Sequence, residues 1–175
     1  MSNVVMAPNK ILRTVSMLVL EEEYPYANQV LDKMSEVMYA NGGIGLAAIQ
    51  IGLPKRMIIV DIGGEYGREL IKMVNPVITE SSDDTSLMKE GCLSVPTIWE
   101  LIERPKNITV EYLDENLSKN TKSFSGFQSH IVSHEMDHLD GITILDKISR
   151  LKRNMYTKKI KKYRKKLNRT YSKIR

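Results

Sequence analysis

Apolar residues after Asn28 recur at Leu31, Met34, Val37 and Met38, the spacing of one helix face, and the run stops at Asn41-Gly42-Gly43, where a left-handed cap forms easily. Upstream, "APNKILRTVS" sets Pro8 and Asn9 before a short apolar-spaced run, which predicts an N-capped turn or two of helix. "KRMIIVDIG", Lys55 to Gly63, is a β-branched run ended by glycine, and "LIKMVNPVIT", Leu70 to Thr79, is a second one broken at Asn75-Pro76. Both predict strands. "NITVEYL", Asn107 to Leu113, alternates by twos, and Asp114-Glu115-Asn116 turns the chain toward "TKSFSGF", which predicts a hairpin. Helical spacing returns in "SGFQSHIVSHEMDHLDG": Phe127, Ile131 and His134 share a side, Ser125 is the expected N-cap and Gly141 the expected stop. Beyond it, Ile148, Leu151, Met155, Ile160, Tyr163, Leu167 and Tyr171 mark a long amphipathic helix. With strands and helices segregated and no repeat or long linker, the fold class is α+β. Residues 1–146 are expected to form the main body, with the tail helix over 147–175 part of the same domain.

Charge divides the chain more sharply than its net +5 suggests. From Lys147 onward there are fourteen Lys and Arg and no acid, leaving twelve basic against twenty-one acidic residues before it, a net of −9. An acidic body with a basic tail points to a polyanionic partner, RNA or an anionic surface. No apolar run is long enough to cross a bilayer, and "MSNVVMAPNK" lacks the apolar core of a signal peptide, so a cytoplasmic monomer with no membrane part is expected. The single cysteine, Cys92, suits a reducing compartment and needs a role of its own.

"SHEMDHLDG" offers one. His134 and His138 lie four apart on a helix and can close on one ion, while Glu135 points to the space beside it. A catalytic metal needs a third protein ligand and an open position. His130 lies about 12 Å along the axis from His138, too far to share an ion. Position 144, where one protease pattern wants a third histidine, holds Ile144, and no glutamate occurs after Glu135. Asp146 remains a minor candidate; Cys92, in "KEGCLSVP", is the better one, because a thiolate binds zinc or ferrous iron strongly. "GGIGLAAIQIG", Gly42 to Gly52, follows a helix and precedes a strand, the reverse of a dinucleotide-binding loop. Its small residues suit close approach of a substrate backbone, and Gln50 is its one side-chain donor.

Together "GIGLAAIQ", "EGCLS" and "HEMDHLDG" resemble, in order and separation, the three signature motifs of peptide deformylases. The opening "VVMAPNKILR" and the basic tail are also similar to that family's, so the resemblance covers nearly the whole chain. It implies mixed and antiparallel sheets around a central metal-binding helix. It implies Fe2+ held by Cys92, His134 and His138, replaceable by Zn2+, Ni2+ or Co2+ in purified protein. The reaction implied is removal of the formyl group from the N-formylmethionine of nascent polypeptides, releasing formate, by attack of a metal-bound water. Glu135 is then the catalytic base, with Gln50 and the Leu93 N–H as donors to the developing oxyanion. Ile44, Gly45, Glu90, Phe127 and His130 are placed around the substrate, with His130 at the pocket rim; Glu90 and Arg104 also match positions that brace the site. The tail helix is similar to those that dock on ribosomes, which implies an rRNA contact. Trp99 stands where the family commonly has arginine, and His130 where it commonly has an apolar or basic residue, departures that bear on substrate preference. Two rivals remain: a zinc peptidase using Asp146, and an RNA-binding module with structural histidines.

Overall fold

The computed structural model describes residues 4–63 and 67–171; residues 172–175 of the expected tail lie outside it, as does the side chain of Tyr171. Five antiparallel strands form the main sheet in the order β1 (Gly45–Ala47), β2 (Met57–Asp61), β3 (Leu70–Ser81), β6 (Asn107–Leu113), β7 (Lys119–Ser125). β4 (Thr85–Cys92) and β5 (Val95–Pro105) pair with each other as a separate hairpin. The helices are α1 (Tyr24–Ala40), α2 (Phe127–Leu139) and α3 (Arg150–Tyr171).

β2 is apolar from Met57 to Val60 because both its faces are covered there. Met57 and Ile59 join Leu31, Met34 and Met38 of α1, whereas Ile58 and Val60 join Ile131, Val132 and Met136 of α2. β6 sends Ile108 and Val110 to the α2 side, where Phe124 of β7 meets them. The expected β6–β7 hairpin forms, its turn fixed by Asp114 Oδ1 accepting from the Asn116 and Ser118 amides at 2.8 and 3.0 Å. A third core joins Val95, Ile98 and Ile102 of β5 to Ile144 and Leu145, which lie between α2 and α3, and to Ile160 of α3.

Several boundaries differ from the sequence reading. α1 begins at Tyr24 because Pro25 fits the first helical turn, where its missing N–H has no partner to lose. β3 is one strand rather than a broken run; Asn75 takes φ 51° and the pairing register shifts between Val74 and Val77, so Pro76 sits in an irregularity and the strand continues. Ser125 does not cap α2, whose N-cap is Gly126 with no side-chain bond. At the other end, Gly141 has φ 72° and its α-carbon lies against the Arg13 carbonyl, leaving no room for a side chain. Asn9 caps its turn as expected, accepting from the Ile11 amide at 3.1 Å.

Ile160 is fully buried where α3 meets β5. Ile160→Ala is expected to lower the unfolding free energy by about 2–5 kcal/mol, read from the urea midpoint; an unchanged midpoint would show that α3 contributes nothing to the core.

Candidate metal centre

Three elements meet where the chemistry-bearing residues lie. α2 contributes His134, Glu135 and His138, all buried; the end of β4 contributes Cys92; the 3-10 turn after β1, Ala48–Ile51, contributes Gln50. The N-terminal segment stitches the last two together, as the Val5 amide donates to the Gln50 carbonyl at 2.7 Å and the Ala7 amide to the Ser94 carbonyl at 2.8 Å. Gly43 packs against Leu93, so the first and second motifs are in contact.

One donor atom each from Cys92, His134 and His138 lies within 4.8 Å of the others. Bonds of about 2.3 Å to sulfur and about 2.0–2.1 Å to nitrogen would set tetrahedral donors about 3.3–3.6 Å apart. Cys92 Sγ and His138 Nε2, 3.2 Å apart, are close to that spacing. His134 presents the correct face: its Nδ1 lies 2.9 Å from Glu90 Oε2, an acceptor only, so the ring carries its proton there and Nε2 keeps its lone pair for a metal. Burial pushes His138 well below the usual histidine range, which keeps it neutral and available as a ligand. The donor set therefore fits a divalent ion with nitrogen and sulfur preferences.

Glu90 anchors the arrangement from behind. Its Oε1 accepts from Arg104 Nε at 2.5 Å and from His130 Nδ1 at 2.9 Å; its Oε2 accepts from an Arg104 terminal nitrogen at 2.9 Å as well as from His134. Burial alone would raise this carboxyl, but the hydrogen bonds from His134 and Arg104 prevail and hold it at about 2. Arg104 also reaches Asp137 at 2.8 Å. His130, expected at the pocket rim, is instead 2 % exposed, its Nδ1 on Glu90 and its Nε2 3.0 Å from Ser86 Oγ. Glu90 and His130 thus sit behind His134 and not among exposed groups, because a buried carboxylate needs every available donor.

In front of the donors, Glu135 Oε2 is buried without a protein partner among the described residues, and burial pushes its carboxyl up to about 7. The other carboxylate oxygen lies against the Gly45 α-carbon, where any side chain would collide with it. Gln50 is oriented unambiguously: its Oε1 accepts from the Ala47 amide at 2.8 Å, which turns Nε2 toward Ser94 Oγ at 3.2 Å and Cys92 Sγ at 3.6 Å. Leu93 follows Cys92 in the tight turn between β4 and β5. Ile44 and Phe127 are exposed, Phe127 two turns above His134 on the same side of α2. Two surface hollows, one of about 470 Å³ between Glu80 and Ser125 and one of about 400 Å³ behind α2, do not include the donor set. Asp146 is engaged elsewhere, by Arg13 at 2.9 Å and by the Thr143 amide and hydroxyl at 3.0 Å, so it is not a third ligand. The sequence reading did not find Ser94, Ser86 and Asp137, which orient Gln50, His130 and Arg104; only Asp137, inside the histidine motif, carried a positional signal.

The sequence profile of the family described as Polypeptide deformylase matches residues 1–154. A peptide deformylase of Pelagibacter ubique is 47% identical over 156 residues, spanning 89% of this chain and 90% of that protein. The crystal structure of a Legionella pneumophila peptide deformylase superposes with a TM-score of 0.88 at 32% identity, covering 97% of this chain and 98% of its own. The Met-Ala-Ser-bound class I type b peptide deformylase of Acinetobacter baumannii superposes with a TM-score of 0.76 at 34% identity, covering 83% and 96%.

If Glu90 orients His134, Glu90→Gln lowers zinc affinity about 10- to 100-fold and His130→Leu lowers it by a smaller factor, both read by competition with a chromophoric chelator. Wild-type affinity in both variants would contradict that role.

Proposed function

The chain belongs to the polypeptide deformylase family, whose activity is removal of the formyl group from N-formylmethionine at the start of nascent chains, and we propose that Cys92, His134 and His138 hold its catalytic metal. The observation that carries this reading is the convergence of those three donors beside a buried carboxylate, Glu135, with one oxygen unpaired. A thiolate with two imidazoles suits Fe2+, and Zn2+, Ni2+ or Co2+ can take the same place in purified protein.

When bound, the ion supplies Lewis acidity, polarising a carbonyl and lowering the pKa of water. The chain's own groups do the rest. Glu135 takes the proton of the attacking water at its unpaired oxygen and delivers it to the departing amine. Gln50 Nε2, aimed at the donor set by its bond from Ala47, and the Leu93 N–H stabilise the charge that collects on the formyl oxygen. Ile44 and Phe127, both exposed and apolar, receive the methionine side chain, and Gly45 lets the substrate backbone approach beside Glu135. Glu90 and His130 act from behind, by holding His134.

The ribosome is the partner we assign to α3. Lys158, Lys161, Lys162, Lys165 and Lys166 are exposed on that helix, which has no acidic residue, while Ile160 roots it in the same domain as residues 1–146. Each contact with an rRNA phosphate releases a counterion. No helix among the described residues is long and apolar enough to cross a membrane. A monomer in the reducing cytoplasm, where the Cys92 sulfur is not lost to a disulfide, completes the reading.

Protein purified without oxygen is expected to release formate from formyl-Met peptides, and no release at full iron occupancy would overturn the assignment. Glu135→Gln should keep its metal and lose nearly all turnover, whereas Gln50→Ala should lower kcat about 100- to 1,000-fold; near-normal rates in either remove that residue from the reaction. Cosedimentation with ribosomes should fall steeply as salt rises, and salt-independent binding would exclude a phosphate contact.

A further inference from the structure

The hollow of about 400 Å³ behind α2 lies apart from the donor set and has its own character. One wall is a stripe of α2: Ser133, Met136, Asp137 and, at the helix C-cap, Asp140, spaced by three or four and so on one side. Opposite it, β3 shifts its register against β6 twice, between Val74 and Val77 and between Ile78 and Glu80. Val77 and Ile78 stand between the two shifts. A regular strand turns consecutive residues to opposite faces, yet here both are exposed and both line the hollow. Pro105, Ile108 and Met136 join them, so the floor is apolar. The polar groups leave donors free. Asp137 is neutralised twice, by Arg104 at 2.8 Å and by Lys147 at 3.2 Å, and Asp140 is paired with Arg56 at 2.8 Å. Lys147 Nζ meets Asp137 alone among the described residues, which leaves it two N–H donors. Ser133 is only 7% exposed, and its hydroxyl has no hydrogen-bond partner among the described residues. A hydroxyl withdrawn so far from water is destabilising until something bonds it.

We propose that this hollow binds a small molecule with an apolar chain and one carboxylate, a medium-chain fatty acid being the simplest, between Ser133 and Lys147 on one side and Val77 and Ile78 on the other. Asp137, the anchor of Lys147, stands four residues and so one turn below Ser133 on α2, which brings the two free donors to the same stretch of wall. A carboxylate accepts from both at once, and the charge-assisted bond to the ammonium is the stronger. Its chain then covers the exposed faces of Val77 and Ile78 and reaches Met136. The volume is at the small end of ligand sites, about 300–1,000 Å³, and suits a chain of about eight carbons. Neither Cys92, His134, His138 nor Glu135 lines the hollow, so the site is separate from the metal centre. Arg104 is common to both: it lines the hollow, holds Asp137, and gives two bonds to Glu90. A ligand there sits one side chain away from the support of His134.

The probe is octanoate, titrated into zinc-loaded protein labelled at its isoleucine and methionine methyl groups and followed by NMR. Saturable shifts of the Ile78 and Met136 methyls are expected, with a Kd of about 1 mM and NOEs from the octanoate chain to both. Octylammonium, which has the chain without the carboxylate, should bind about tenfold more weakly, and so should octanoate to Lys147→Glu or to Val77→Asp. Val77 and Lys147 lie outside the metal centre, so both variants should release formate at the wild-type rate, which also shows that they fold. Octylammonium binding as well as octanoate would overturn the carboxylate, and full octanoate affinity in both variants would overturn the place. NOEs confined to Ile44 and other groups beside the donor set would put octanoate at the metal centre and overturn the proposal as well.

Discussion

Glu90 is a carboxylate taken out of water, and the rest of the centre is arranged around satisfying it. Each of its oxygens accepts two hydrogen bonds, from Arg104 and His130 on one and from Arg104 and His134 on the other. A buried ion pair is not in itself a source of stability, but removing one partner of such a pair typically costs about 3–5 kcal/mol, since the other is left unpaired. The consequence here is geometric. Arg104 from β5, Glu90 from β4 and both His130 and His134 from α2 can be satisfied together in only one relative placement of hairpin and helix. That placement carries Cys92, two residues past Glu90, to His138, one turn past His134.

The main sheet and the hairpin divide the work accordingly. The five-stranded sheet, covered by α1 and α2, supplies the rigid base on which α2 is oriented. Its edge strand β1 delivers Gly45 and, through the turn that follows, Gln50. The hairpin supplies Cys92 and the support for His134, and α3 packs against its second strand. The amides of Val5 and Ala7 tie Gln50 and Ser94 into one unit, so Gln50 and the turn that carries Cys92 cannot drift independently.

What the sequence displayed depended on whether apolar pattern and burial agreed. In α1, β2 and the β6–β7 hairpin they did, and the periodicity of Leu31, Met34 and Met38 or of Ile108 and Val110 located the elements directly. The β4–β5 hairpin was invisible for the opposite reason: its inward positions include Ser86, Glu90 and Arg104, and its outward ones Leu87, Trp99 and Leu101, an inversion of the usual alternation. Helix spacing and donor chemistry set His130 aside and made Cys92 the preferred partner of His134 and His138, with Asp146 still open; the full set came from the resemblance of the three motifs. They did not place His130, because its partners, Glu90 and Ser86, lie forty and forty-four residues upstream and only the unseen hairpin brings them near. Ser94 escaped notice likewise, since its bond to Gln50 needs the turn after Cys92.

The central claim is that one thiolate and two imidazoles bind a single ion, and X-ray absorption at the metal edge of zinc-loaded protein tests it most directly. The account predicts one sulfur scatterer at about 2.3 Å, with nitrogen and oxygen scatterers at about 2.0–2.1 Å and the imidazole outer-shell pattern of two histidines. A first shell without sulfur, or one unchanged in Cys92→Ser, would contradict it.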